Sequence, residues 1–282
     1  MIGIGPADQR YPVRLLDLRC PPDPLWLDGD LLAVATRAVS IVGTRRMTPY
    51  GARVARELAS ACAEVGIVVV SGLAQGVDSA AHEGALDAHG DTVAVLGAGI
   101  ASYLEDARGR RRRLAHAIRA SGTLMSEFPP DAPPQKWTFA QRNTTIAALG
   151  AVAVVVEAPV GSGALITAAE ARRLGRPVYA VPGPIGVAAS AGANALIATG
   201  AAKALTSPGM LLDALGSSAR PRAKDVDDLD ERILDALASS PAGLDSLARR
   251  VGTNAGDLSS RLARLVIRGA IAAAPDGRFV RR

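Results

Sequence analysis

Aromatic side chains are scarce in this chain, at 3% of 282 residues. That scarcity argues against an extended platform of stacked rings of the kind that holds single strands by base stacking. Cysteine is scarcer still: Cys20 and Cys62 offer neither a metal-ligand spacing nor a disulfide framework. The three histidines, His82, His89 and His116, show no His–Cys or His–carboxylate metal spacing. Long apolar runs are missing too, because Ile67–Val70 and Ala151–Val156 are far too short to span a bilayer. The opening decapeptide, MIGIGPADQR, lacks the basic stretch and apolar core of a secretory leader. These absences predict a soluble cytoplasmic protein with no membrane span, no metal and no cofactor.

Apolar residues make up 49% of the chain and charged residues 21%, which predicts a sizeable core and excludes disorder. The length suits one large α/β domain followed by a small module. The net charge is +5, and it is unevenly placed. Residues 216–224 (GSSARPRAK) carry three basic side chains and no acid, while residues 225–282 carry nine of each. Lysine is rare: Lys136, Lys203 and Lys224 are the only three among 32 basic residues. Arginine presents a planar fork of donors suited to phosphate, yet the charge surplus alone is a weak pointer to nucleic acid.

From residue 38 onward, short β-branched runs alternate with helical patterns. Strands are predicted at 38–43, 67–72, 92–97, 123–128, 151–158 and 177–183. Between them the apolar spacing predicts helices over 50–66, 78–89, 111–120, 140–149 and 164–174. Near-continuous apolar strands separated by helices predict a parallel sheet covered on both faces, the doubly wound Rossmann-like arrangement. Residues 1–37, rich in proline, read as an extended wrapper on that domain, which runs over 38–215. Residues 216–224 read as a basic linker. In 225–282, Leu229, Ile233, Leu234 and Leu237 mark one helix, and Leu244, Leu247, Ala248 and Val251 a second. Leu258, Leu262, Leu265 and Val266 mark a third, and Ala270–Val280 fits a hairpin with Asp276–Gly277 at its tip. Three short helices and a β-wing predict a winged helix-turn-helix.

Ligands of doubly wound sheets bind outside the carboxyl ends of the strands. Here those ends read Gly43-Thr44-Arg45-Arg46, Ser71-Gly72, Gly97-Ala98-Gly99, Gly161-Ser162-Gly163 and Pro182-Gly183. Glycines let backbone N–H groups approach an anion, and helix starts add a positive dipole. An anion site is therefore expected on that edge, although any one of these glycines could serve only as a turn. GAGIAS after the third strand is an incomplete dinucleotide fingerprint. Ser102 replaces its third glycine, and no strand ends in an acid about 20 positions later. Five arginines, Arg108 and Arg110–Arg113, sit at a predicted helix start, where positive charge is unfavourable without an anionic partner. Candidate acid–base groups are few. Asp78 and His82, four apart, could pair or cap, and Glu157 and Glu170 could act in a cleft or merely orient loops.

Several blocks together resemble one family: IVGTRRMTPYG, SGLAQGVDSAAHEGAL, TVAVLGAGI, FAQRN, VVVEAPVGSGALITAAEA, GRPVYAVPG and GANALIATGA. In this order and spacing, over about residues 10–215, they are similar to the DNA-processing protein A (DprA, or Smf) family. The resemblance implies an extended Rossmann domain that binds single-stranded DNA without sequence choice. It further implies a homodimer, the loading of a RecA-type recombinase during natural transformation, and no catalytic activity. A single-strand-binding protein is a further candidate partner. Many members carry an N-terminal helical domain, for which this sequence has no room. Arg142-Asn143 is followed by Thr144-Thr145 where a basic residue is usual, and Tyr103-Leu104 stands where Tyr-Pro is usual.

These patterns predict DNA contacts at Gly43, Thr44, Arg45, Arg46, Ser71, Gly72, Arg110, Arg111, Arg112, Arg113, Lys136, Arg142, Asn143, Ser162 and Gly163. Leu205, Met210, Leu211 and Leu215 lie on a short apolar helix that either packs on its own sheet or forms a dimer interface, and the resemblance favours the interface. In the winged helix, Arg261, Arg264, Arg268 and Arg278 are predicted auxiliary DNA contacts. Two rivals remain at this point. One is a nucleotide phosphoribohydrolase-like enzyme, whose Pro-Gly-Gly-x-Gly-Thr motif is broken here at Pro159-Val160-Gly161-Ser162-Gly163-Ala164. The other is a winged-helix regulator of duplex DNA, disfavoured by that module's balanced charge.

Overall fold

The computed structural model describes residues 1–29, 37–217, 228–253, 258–259, 261–262, 265–266, 270–274 and 277–281. The chain divides into two compact units, Met1–Pro221 and Arg222–Arg282.

In the first unit, the predicted strands appear as β3 (Ala38–Val42), β4 (Val68–Ser71), β5 (Thr92–Leu96), β6 (Thr123–Ser126), β7 (Val152–Val155) and β8 (Val178–Ala180). All are parallel to their neighbours within this set. Every residue of β3, β4 and β7 is buried, as expected where helices cover both faces. The order runs β6-β5-β4-β3-β7-β8, so the chain winds outward from β3 and then returns to lay β7 on its other side. The topological switch point therefore lies between β3 and β7.

The N-terminal segment differs from the wrapper that the sequence suggests. It supplies β1 (Ile2–Ile4) and β2 (Leu25–Gly29), which extend the sheet antiparallel beyond β6 with Trp26 opposite Ser126. Flanking Pro21, Pro22 and Pro24 mask a short strand in sequence, yet proline is tolerated at a sheet margin. At the other margin β9 (Lys203–Ala204) pairs with β8, completing nine strands.

Helices α1 (Pro49–Ala63) and α2 (Val77–Asp87) cover one face, packed on Val39, Ile41, Val69 and Val154. Two short helices follow β5: α3 (Ile100–Asp106), absent from the sequence-based expectation, and α4 (Gly109–Ser121). Opposite lie α5 (Lys136–Leu149) and α6 (Gly163–Arg173), packed with Val42, Val70, Val95 and Val155. Helix α5 starts four residues before the expected Ala140, because Gln135 and Thr138 form a reciprocal cap. Helix α7 (Ala188–Ala198) is likewise additional, since its small residues give little amphipathic signal.

Helix α8 (Pro208–Ala214) corrects the expected interface. Leu205, Leu211 and Leu215 are buried in the protein's own core on the α1 face, with Met210 partly buried beside them. They join the apolar cluster that α1 shares with Tyr179 and Val181. The three leucines are thus covered within a single chain, while Met210 keeps part of its surface exposed.

In the second unit α9 (Asp228–Ser239) and α10 (Leu244–Val251) form as predicted, and Gly252 ends α10 in the left-handed region. Residues 258–259, 261–262 and 265–266 are helical, and β10 (Ile271–Ala273) pairs antiparallel with β11 (Phe279–Arg281). Ile233, Leu237, Leu247, Val251, Leu258, Leu262, Leu265 and Ile271 form its separate core.

Candidate nucleic-acid interface

The switch point is where the predicted anion-binding residues converge. A cavity of about 410 Å³ is lined by Gly43, Thr44 and Arg45 after β3, by Lys136, Arg142 and Asn143 on α5, and by Ser162, Gly163 and Thr167 at the start of α6. The Ser162 side chain caps α6 by accepting from the Ala164 N–H, which leaves the helix start aimed at the cavity. Asn143 Nδ2 donates to the Gly163 carbonyl at 3.3 Å and ties α5 to that loop. Thr167, which sequence reasoning missed, lines the same cavity, and its hydroxyl is buried without a partner among the described residues.

Arg45 is exposed and forms a wall common to three adjoining cavities. Its guanidinium lies 5.5 Å from the Phe139 ring centroid, within cation–π range. The loop that carries it is braced from behind. Gly76 has φ +93°, and a Cβ there would stand 2.2 Å from the Thr44 carbonyl oxygen, so the α2 entry loop can pass only as glycine. Leu73, at the end of β4, also holds a positive φ of 53°, a conformation that branched side chains rarely adopt. Gly76 and Leu73 each line one of the two cavities that share Arg45 with the switch point, as strained backbone does at functional sites.

Arg142 departs from the surface role expected of it. It is only 4% exposed, and its Nη1 donates to the Val95 carbonyl at 3.0 Å. Arg142, Ile146 and Leu149 share one face of α5, and that face meets the sheet. Asp78, buried at the start of α2, accepts backbone N–H bonds from Gly43, Gly72 and Ala74 and provides the charge opposite Arg142. Gly72 separates the two: a Cβ there would lie 1.5 Å from Arg142 Nη1 and 2.7 Å from Asp78 Oδ2. Burial pushes the Asp78 carboxyl up and the Arg142 guanidinium down, while their mutual attraction opposes both shifts. Arginine keeps its proton in such a setting. Arg142 therefore acts as a buried charge beneath the cavity, with its Nε unpartnered among the described residues.

Several other predicted contacts are also relocated. Ser71 is fully buried, and its hydroxyl donates to the Ile41 carbonyl at 2.6 Å, so no ligand reaches it. Thr44 is 7% exposed, with its N–H donating to the Glu157 carbonyl. Arg46, Arg110 and Arg111 line a separate cavity toward α4, whereas Arg112 lies with His116 on another side of that helix and Arg113 is exposed on it. In the second unit Arg261 and Arg278 fall within the described residues, and Arg264 and Arg268 lie outside them.

The acid–base candidates have structural duties. Glu157 is buried and accepts from the Thr48 hydroxyl at 2.6 Å and the Thr48 N–H at 2.9 Å, pinning the start of α1. Glu170 pairs with Arg173 within α6. His82 does not pair with Asp78. Its Nδ1 lies 2.7 Å from the Thr92 hydroxyl, which itself donates to the Val69 carbonyl, so Nδ1 carries the proton and Thr92 accepts it. Burial holds the His82 imidazole down at about 3, well below its ordinary 6.5. Among the described residues no cluster of three His, Cys, Asp or Glu could hold a metal, and no helix is long and apolar enough to cross a membrane.

With this arrangement in view, sequence comparison is decisive. The family described as DNA recombination-mediator protein A matches residues 3–216. The chain belongs to this family. The DprA winged helix domain matches residues 217–277, in agreement with the two cores found above. Protein Smf of Escherichia coli (strain K12) is 35% identical over 285 residues, covering 96% of this chain and 75% of that protein. A putative DNA processing protein DprA of Mycobacterium tuberculosis (strain H37Rv) is 48% identical over 179 residues, covering 63% of this chain and 45% of that one. Among solved structures, DNA processing protein A from Streptococcus pneumoniae superimposes with a TM-score of 0.70 at 35% identity, over 75% of this chain and 73% of that one. The protein from Helicobacter pylori, described for its "unique single-stranded DNA binding mode", gives 0.68 at 27% identity, over 78% of this chain and 97% of that one.

Proposed function

We propose that this member of the family binds single-stranded DNA at the switch-point cavity, without sequence choice, and delivers it to a RecA-type recombinase in the cytoplasm. The observation that carries this reading is the placement of Arg45. It is an exposed arginine on a braced loop, shared by three adjoining cavities, with Lys136, Asn143 and the α6 start opposite and the Arg142 charge beneath. Such a site engages phosphate, which every strand offers alike, so it gives affinity and register without reading bases. The single-stranded DNA binding described for the Helicobacter pylori protein supports the same choice of ligand. A protein that must accept any incoming strand needs this kind of contact.

The reading includes a homodimer, which must use surfaces other than Leu205, Leu211 and Leu215. It assigns the winged helix an auxiliary role toward duplex DNA. Residues 249–282 hold eight basic and two acidic side chains, against one basic and six acidic in 225–235, so only one end of that module suits a phosphate backbone. The test is Arg45→Ala against labelled oligo-dT over a salt series. Freeing one phosphate from the protein flattens the log–log salt slope by about 0.7 for a single strand. Arg45→Ala should weaken binding and flatten the slope by that amount, and an unchanged affinity and slope would remove Arg45 from the interface.

A further inference from the structure

The switch-point cavity leaves most of the arginine cluster unused. A second cavity, of about 410 Å³, opens between the α2 entry loop and α4, and is lined by Arg46, Gln75, Ser79, Arg108, Arg110 and Arg111, with Arg45 at its edge. We propose that this cavity is a second phosphate seat, which takes the sugar–phosphate backbone of the same single strand after it leaves the switch point. The proposal rests on the single-strand reading and deepens it.

The charge in this cavity is poorly neutralised from within. Of its five arginines, Arg110 is the one that forms an ion pair among the described residues, at 2.6 Å to Glu83. Glu83 also engages Arg56, which has Asp87 as a second partner, so the four other arginines of the cavity have no carboxylate from this group. Arg111 lies 5.2 Å over the Tyr103 ring, and Arg108 Nη1 donates to the backbone carbonyls of Glu105 and Ala107. These interactions orient the two guanidiniums without cancelling their charge. Arg46, Arg108, Arg110 and Arg111 are all exposed. The first turn of α4 carries no acid, so its arginines oppose the helix dipole as well as one another. An anion seated among them would relieve both repulsions.

Continuity identifies that anion. Arg45, Gln75 and Arg111 also line the intervening cavity at the ends of β4 and β5, which contains Phe139, Arg142 and a single acid, Asp106. A strand held at the switch point therefore reaches α4 without leaving arginine-lined surface. Arginine forks suit phosphate in particular. An acidic protein segment would also feel the charge, but nothing would bring it to a cavity whose wall is shared with the strand site.

The test uses the full chain and two labelled dT oligomers, of about 4 and about 16 nucleotides, the span of single-strand site sizes for small domains. The double substitution Arg108→Ala/Arg111→Ala removes exposed side chains, and circular dichroism with thermal melting checks that folding is intact. For the longer oligomer, the salt slope should fall by about 1.4, the equivalent of two phosphates set free, with weaker binding. The loss should be clearly smaller for the shorter oligomer, and Arg108→Lys/Arg111→Lys should restore most of the slope. An unchanged slope for the longer oligomer, or equal losses at both lengths, would overturn the second seat while leaving the Arg45 site standing. If Arg108→Ala/Arg111→Ala lost affinity for an Asp/Glu-rich peptide with dT binding unchanged, the cavity would pass to a protein partner. If the unsubstituted protein bound neither oligomer, the single-strand reading itself would fail, and the seat with it.

Discussion

Acidification should destabilise the first unit through His82, and the size of the effect follows from its burial. The imidazole is fully buried, donates from Nδ1 to Thr92, and has its second nitrogen unpartnered among the described residues. Its folded pKa is held down at about 3, against 6.5 in the open chain. A group depressed in this way contributes stability that is fully present above the unfolded value and is lost as pH falls toward the folded one. Below 6.5 the unfolded chain takes up a proton that the native protein refuses. Each pH unit in that window costs about 1.4 kcal/mol, so a fall from about pH 6.5 to about pH 5 should remove about 2 kcal/mol. Asp78 acts in the opposite sense, because burial raises its carboxyl and acidification relieves that penalty. A His82→Gln protein, which keeps Asp78, isolates the histidine. Trp26 and Trp137 both lie in the Met1–Pro221 unit, so tryptophan fluorescence in urea reports that unit alone. His82→Gln should be less stable than the parent near neutral pH and should show a flatter pH dependence by about that amount. Equal slopes in the two proteins would refute the argument.

Three further outcomes are expected. Gly72→Ala drives a methyl group into Arg142 and strands Asp78 as an uncompensated buried charge, a loss of about 3–5 kcal/mol readable by urea unfolding. Leu211→Ala should cost about 2–5 kcal/mol as a core truncation, with the light-scattering mass of the parent unchanged. A monomer mass for the parent itself would remove the dimer. A chain ending at Ser217 should stay folded and keep most single-strand affinity while losing duplex affinity, as measured by anisotropy. If it lost single-strand binding, the switch-point cavity would not be the main site.

Much of the protein is determined by its sequence. Six β-branched runs at regular spacing can bury both faces only in a covered parallel sheet, and that sheet places Gly43–Arg46 and Gly161–Gly163 at one edge. The leucine spacing in 228–251 likewise leads to helices with a core of their own. Strand order, however, is a long-range property. Only the return of β7 beside β3 makes the Arg45 loop and the Ser162 loop neighbours, across more than a hundred residues.

Burial was decided in three dimensions as well. Arg142 reads as one more basic residue beside Lys136, yet its spacing with Ile146 and Leu149 puts it under the cavity, where a desolvated charge acts through its field. Ser71 ends a strand as Gly43 does, but its hydroxyl is consumed by the neighbouring strand. The leucines in and around α8 have the pattern of an interface, and the same pattern serves a core once they pack with α1. Periodicity shows which face of an element is apolar. What lies against that face is settled only when every other element has claimed its place.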